Sequence, residues 1–155
     1  MRVAALYDIH GNLPALEAVA HEVYLAGVDR VVVGGDVVPG PMPGECLALL
    51  RELDVPVLPI RGNGESALLA EWAGSDGGVR LVNAGSVGMP FGRAGADWLL
   101  LGPGVHPRHT DYDLAAAAGR LAATAYPDAA AFAERHVLHP PSEEEMLRAF
   151  DSPPR

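Results

Sequence analysis

The N-terminal part of the chain alternates between short apolar runs and amphipathic stretches. The apolar runs at 2–6, 30–34 and 57–60 lack helical spacing, which predicts strands buried on both faces. Residues 13–26 and about 45–53 carry apolar side chains at three- and four-residue steps, which predicts helices. The order strand, helix, strand, helix, strand predicts a parallel sheet in an α/β fold.

The C-terminal part continues with one clear strand and then helices. Residues 98–101 are apolar and predict a buried strand. Helices are predicted after the cap Asp113 (Leu114 to Ala125), after Pro127, and from a capping box of Ser142 and Glu145. We find no internal repeat, so residues 1–155 are expected to form a single domain.

Composition and charge narrow the classes of function. Hydrophobic residues make up 49% and charged residues 20% of the 155, which is typical of a globular protein. The net charge of −9 argues against a nucleic-acid or anionic-membrane surface, although a bound cation would still allow a phosphate substrate. The single Cys46 has no disulfide partner in the chain. Neither a signal peptide nor a membrane span is evident, so we expect a cytoplasmic protein.

Polar side chains of a metal-binding type follow each of the first three predicted strands. Taken singly, each also fits a surface acid, a hydrogen-bonded histidine or a turn aspartate. The carboxyl ends of parallel strands meet at one edge of a sheet, however, and their convergence there favours a ligand site. The expected ligands are three oxygens and one nitrogen: Asp8, His10, Asp36 and Asn63. This set suits manganese, iron, zinc or magnesium rather than a structural zinc site.

Four motifs in this order resemble those of a known family. They are Asp-x-His-Gly-Asn at 8–12, Gly-Gly-Asp at 34–36, Gly-Asn-x-Glu at 62–65 and Asn-Ala-Gly-Ser-Val-Gly at 83–88. With the later Tyr-Asp pair at 112–113, they make the chain similar to the calcineurin-like metallophosphoesterases. Within that superfamily it most resembles the small bacterial branch of phosphodiesterase type.

The resemblance implies an α/β/β/α sandwich that carries one or two divalent ions (Mn, Fe, Zn, Ni or Mg) at a sheet edge. It implies these ligand roles: Asp8 and His10 on one ion, Asp36 between the two, and Asn63 on the second. A hydroxide held by the ions would attack phosphorus in line. Asn12 and Arg61 would contact phosphate oxygens, although a surface salt bridge is an equal interpretation for Arg61.

The sequence departs from the family pattern in its middle. Gly64 stands where the family has a histidine that protonates the leaving oxygen, and losing such an acid costs roughly 10²–10⁴ in rate. No histidine lies between Glu65 and Asn83, where the family has two further histidine motifs. Either the sandwich is shortened, or a segment of the natural protein is absent between Trp72 and Val79.

Other candidate residues are given less weight. His106 and His109 could replace missing ligands, but the pattern favours exposed polar residues on an edge segment. His136 and His139 are expected on the surface. Ser86 lacks a nucleophile motif and is interpreted as a hydroxyl that structures its loop.

The sequence therefore predicts a metal-dependent phosphoesterase that acts on a small phosphodiester or phosphomonoester. The alternative is a catalytically weakened relative that binds a phosphate or nucleotide or serves as a scaffold. A homo-oligomer in which a neighbouring chain supplies missing ligands is a third possibility. The negative net charge disfavours nucleic acid as a substrate but leaves it as an alternative.

Overall fold

A computed structural model describes residues 1–60 and 82–151. The first five elements are β1 (Val3–Tyr7), α1 (Leu13–Ala26), β2 (Arg30–Gly34), α2 (Pro43–Glu52) and β3 (Val57–Ile60). The later elements are β4 (Ala96–Leu101), β5 (Val105–Thr110), α3 (Leu114–Ala122), α4 (Ala129–Ala133), a π-helical turn (Glu134–Leu138) and α5 (Glu143–Asp151). None of the described helices is long and apolar enough to cross a membrane.

The strands form one mixed sheet in the order β3-β2-β1-β4-β5. The predicted parallel half is confirmed, because β1 pairs with β2 and β2 with β3 in parallel. On the other side, β4 pairs with β1 and β5 with β4 in antiparallel fashion. The α/β class is therefore confirmed. Within the described ranges there is one sheet, and the predicted gap between Trp72 and Val79 lies outside them.

The main core lies between one face of this sheet and the helices α1 and α2. Alternate strand residues such as Leu6, Val31 and Trp98 are buried there against Leu16 and Val19 of α1. Each large apolar side chain removed from water contributes about 1.5–3 kcal/mol. This packing holds β1 and β2 in their parallel pairing, so the carboxyl ends of both strands lie at the same edge of the sheet.

The C-terminal helices form a smaller core that packs onto α1. Leu121, Ala133 and Val137 are buried in it. The Arg120 guanidinium donates two hydrogen bonds to the Glu17 carboxylate on α1. This pair is about half exposed and is worth at most about 1 kcal/mol, so apolar burial carries most of the docking energy.

The predicted helix caps are confirmed. The Asp113 carboxylate accepts a hydrogen bond from the Ala116 N–H at 2.9 Å, and Ser142 and Glu145 form the reciprocal capping box. Helix α3 ends at Ala122, earlier than the predicted Ala125.

A glycine in the turn region tests how tightly the backbone is packed at the sheet edge. A Cβ on Gly88 would lie 1.8 Å from the Ile9 carbonyl oxygen. We expect Gly88→Ala to lower the free energy of unfolding by about 2–4 kcal/mol, since backbone must move. The control is Gly119→Ala in α3, where nothing lies within 4 Å and a gain of about 0.5–1 kcal/mol is expected. Equal urea midpoints for the two variants would contradict this packing.

Candidate metal centre

Three of the four predicted ligands converge at the carboxyl edge of the sheet. Asp8, His10 and Asp36 each offer one donor atom, and these atoms all lie within 4.8 Å of one another. All three side chains are half-buried. Donors on one divalent ion with bonds of about 2.0–2.3 Å lie roughly 3–4.5 Å apart, so this set fits a single ion. Two carboxylates and an imidazole suit hard or borderline cations.

All three candidate ligands have a left-handed backbone. Their φ angles are 52° at Asp8, 49° at His10 and 29° at Asp36. Residues other than glycine rarely adopt positive φ, and each instance costs about 1–3 kcal/mol. The chain therefore turns sharply at each ligand, directly after β1 and β2.

Backbone hydrogen bonds hold these turns against each other. The His10 N–H donates to the Asp36 carbonyl at 2.8 Å, and the Gly11 N–H donates to the Val37 carbonyl at 3.0 Å. The positions of the ligands are thus set by main-chain contacts between the two turns.

A third segment, residues 86–88 before β4, forms hydrogen bonds with the end of β1 and the turn after it. The Gly88 N–H donates to the Asp8 carbonyl at 2.9 Å, and the Val87 N–H donates to the Tyr7 carbonyl at 2.9 Å. The Ser86 hydroxyl donates to the Asp8 carbonyl at 3.1 Å and accepts from the Met89 N–H at 2.9 Å. The prediction that Ser86 structures its loop is confirmed.

Asn12 is fully buried and joins this scaffold to α1. Its Oδ1 accepts from the Ala15 N–H at 3.3 Å as the helix cap, and its Nδ2 donates to the Gly88 carbonyl at 3.0 Å. The buried Tyr112 hydroxyl lies beside this amide, and burial raises the pKa of Tyr112. The amide is thus largely engaged within the protein, and its contact with phosphate stays a prediction.

The electrostatics of the cluster favour a cation. Burial raises the pKa of the Asp8 carboxyl above its ordinary value of 3.8. The charge of His10 lowers this pKa, while the nearby Asp36 carboxylate raises it. Two carboxylates held together in a half-buried site repel each other, and a divalent ion between them would relieve that repulsion.

The other predicted site residues either lie outside the described part of the chain or make other contacts. Asn63, Arg61 and Gly64 lie outside the described residues, so their roles stay predictions. His106 is exposed, and its Nε2 lies 2.8 Å from the Pro103 carbonyl. His109 is bound to another carboxylate, and neither histidine belongs to the ligand group found among the described residues.

The sequence pattern did not predict the partial burial of His136. It was expected on the surface, but it is half-buried in the π-helical turn, with its ring 5.0 Å from that of Phe132. Burial lowers the pKa of His136, and the charges of Arg135 and His10 lower it further. The sequence signal for this burial was the spacing of four residues between Phe132 and His136, which places both side chains on one face of a helix. His139 is 76% exposed, as predicted.

Comparison with known structures identifies the fold. The structure matches a metallophosphoesterase from Sphaerobacter thermophilus with a TM-score of 0.62 at 17% identity, over 87% of this chain and 97% of that one. The predicted calcineurin-like metallophosphoesterase fold is thereby confirmed.

One curated relative also matches in sequence. An uncharacterized protein of Methanocaldococcus jannaschii is 36% identical over 70 residues, which is 44% of this chain but only 28% of that protein's length. No family model matches the chain.

Replacing Asp8 should separate metal binding from folding. Because the pKa of Asp8 is raised, its charged form destabilises the metal-free native state at neutral pH, and Asp8→Asn should be no less stable than the wild type. The wild type should gain about 2.7 kcal/mol at a Mn²⁺ concentration of 100 times Kd, and the variant should gain almost none. Urea unfolding with and without Mn²⁺ measures both. The exposed control Asp54→Asn should respond like the wild type.

The lowered pKa of His136 predicts a pH effect of definite sign. As the pH falls below about 6.5, the unfolded chain binds a proton at this position more readily than the native state does. The wild type should therefore lose stability relative to His136→Gln as the pH falls from about 7.5 to about 5.5. Urea midpoints at the two pH values test this. A difference independent of pH would show that His136 titrates as in the unfolded chain.

Proposed function

We propose that this protein is a metal-dependent phosphoesterase that hydrolyses a phosphodiester or a phosphomonoester. The observation that supports this most directly is the cluster of Asp8, His10 and Asp36 at the carboxyl edge of a sheet with the metallophosphoesterase fold. Open α/β sheets bind their ligands at this edge. The substrate we expect is a small phosphoester.

Divalent ions at this cluster would neutralise charge on the phosphoryl group and activate water for attack on phosphorus. The part played by the chain itself is to hold the ligands in place before the substrate arrives. The left-handed turns at Asp8, His10 and Asp36 are fixed by backbone hydrogen bonds, so little reorganisation is needed. Asn63 as the ligand of a second ion and Arg61 as a phosphate contact extend this proposal.

The start of helix α1 adds a favourable field for an anion. Helix α1 has 14 residues and begins at Leu13, three residues after His10. Because it follows β1 directly, its amino end lies at the carboxyl edge of the sheet. A helix amino end carries about half a positive charge. A phosphate held at the cluster would therefore gain from this dipole as well as from the ions.

Protonation of the leaving group is the weak point of this site. Gly64 cannot supply a proton, and His136, whose pKa is lowered, is largely neutral at pH 7. We therefore propose that the enzyme hydrolyses esters whose leaving group departs as a stable anion much faster than alkyl esters.

The test is release of nitrophenol from bis(4-nitrophenyl) phosphate in the presence of Mn²⁺. Nitrophenolate leaves without a proton, so the missing acid should matter little for this ester. Dimethyl phosphate, from which only methoxide can leave, should be hydrolysed at least about 10²-fold more slowly. Asp36→Ala should abolish turnover, whereas the exposed control Asp54→Ala should keep it. Turnover that persists in Asp36→Ala would refute the proposed role of the cluster.

A second candidate function is a phosphate-binding protein that has lost turnover. It is favoured by Gly64 and by the fact that the described residues gather only three ligands, enough for one ion. This function would be favoured if the protein binds Mn²⁺ but hydrolyses no ester in the presence of Mn²⁺, Zn²⁺, Fe²⁺ or Mg²⁺. Full activity in a monomer would exclude a site shared between chains.

A further inference from the structure

Tyr112 lies at the same edge of the sheet as the candidate ligands. Strand β4 is antiparallel to both β1 and β5, so β5 runs in the same direction as β1. Strand β5 ends at Thr110, two residues before Tyr112. Tyr112 therefore follows the carboxyl end of its strand, as Asp8 and Asp36 follow the carboxyl ends of theirs.

The backbone around Tyr112 is anchored on both sides. The buried Thr110 hydroxyl accepts a hydrogen bond from Nε1 of Trp98 at 3.1 Å. On the other side, the Asp113 carboxylate caps α3 by accepting from the Ala116 N–H at 2.9 Å. Because these two anchors are only three residues apart, Tyr112 has little freedom to move between them.

The ring of Tyr112 joins the two hydrophobic cores. It packs against the main core and also against the smaller core of the C-terminal helices, and Met42 does the same. The Met42 N–H donates to the Gly11 carbonyl at 3.0 Å, directly after the candidate ligand His10. The place where the cores meet is thus tied to the turn that carries the ligands.

The hydroxyl of Tyr112 is buried without a well-formed hydrogen bond. Its oxygen is closed to solvent, and no atom of the described residues meets it in hydrogen-bond geometry. The group beside it is the Asn12 amide. A buried hydroxyl in this condition lowers stability, and a phenylalanine would fill the same space without that cost. Such a group is explained if its partner comes into place in a functional state.

Asn12 has a hydrogen that suits this hydroxyl. Its Nδ2 donates one hydrogen to the Gly88 carbonyl at 3.0 Å, and the same nitrogen carries a second hydrogen. Asn12 belongs to the turn after β1 and follows His10 by two residues. A hydrogen bond from Asn12 to Tyr112 would therefore tie this turn to the C-terminal core.

The conformation of the turn depends on the charges of Asp8 and Asp36. The Asp36 carboxylate opposes ionisation of Asp8, since the two negative charges repel each other. A divalent ion between them reverses this force and draws the two turns together. The amide of Asn12, two residues beyond His10, would shift with its turn.

We propose that Tyr112 is a positioning residue of the metal centre. Its hydroxyl accepts a hydrogen bond from Nδ2 of Asn12 when a divalent ion draws the candidate ligands together, and this bond favours the metal-bound form of the turn. The inference rests on the metal centre of the proposed function and is independent of which phosphoester is hydrolysed.

The first experiment measures metal affinity and metal-free stability separately. Mn²⁺ binding to the 155-residue chain is followed by calorimetry, and urea unfolding is measured after removal of metal. Tyr112→Phe should bind Mn²⁺ roughly three- to tenfold more weakly, which corresponds to one net hydrogen bond. Its metal-free urea midpoint should equal or exceed that of the wild type, because no formed hydrogen bond is lost. The matched control Tyr126→Phe, at a tyrosine that is 38% exposed, should change neither quantity.

A purely structural tyrosine would give the opposite pattern. Its replacement would lower the metal-free midpoint and leave the Mn²⁺ affinity as in the wild type. Either an unchanged Mn²⁺ affinity or a lower metal-free midpoint in Tyr112→Phe would therefore overturn the proposal.

The second experiment tests the route through Asn12. Asn12→Ser keeps a side-chain oxygen that can cap α1 but removes the amide. In this background Tyr112→Phe should weaken Mn²⁺ binding no further, because the donor is already gone. Losses that multiply in the double variant would show that the hydroxyl acts through another group and would refute this route. If Asn12→Ser does not fold, Tyr112→Phe alone decides the role of the hydroxyl.

Failure of this inference can be told apart from failure of the proposed function. A wild type that binds no Mn²⁺ would refute the metal centre and the role of Tyr112 with it. Mn²⁺ binding without hydrolysis of any ester would count against the phosphoesterase proposal alone, since the affinity of Tyr112→Phe is measured without turnover.

Discussion

The structure depends on a junction of three backbone segments at the sheet edge. The turn after β1 lies between the turn after β2 and the segment 86–88, and hydrogen bonds join it to both. The segments approach so closely that side chains are excluded at two points. A Cβ on Gly40 would lie 1.7 Å from the His10 carbonyl oxygen, and one on Gly88 would lie 1.8 Å from that of Ile9. The geometry of the candidate ligands is therefore a property of the main chain.

The conformation of this junction lowers the stability of the fold. Three left-handed residues cost about 1–3 kcal/mol each, and the partly buried Asp8 and Asp36 carboxylates repel each other. The buried face of the sheet against α1 offsets these costs, with Leu16 and Trp98 among its fully enclosed side chains. Strain held in place by a core of this kind is the usual condition of a preorganised site.

The sequence predicted the parts of the structure that follow from local rules. Strand-end residues such as Asp8 and Asp36 converge because the helices between parallel strands return the chain to the same edge, and this follows from the alternation of periods alone. The pairing of Asp97 with His109 depends on the register between two antiparallel strands, which no short motif specifies. His136 was misplaced because its burial depends on how the C-terminal helices dock on α1.

The proposed function sets a condition on the leaving group. Without a histidine at position 64, and with His136 largely neutral, the site favours a group that departs as a stable anion and needs no proton. A leaving group whose oxygen has a low pKa, such as nitrophenolate, meets this condition. The acid that this chain lacks would then be unnecessary for its own substrate, and slow turnover of alkyl esters would reflect specificity rather than decay of the site.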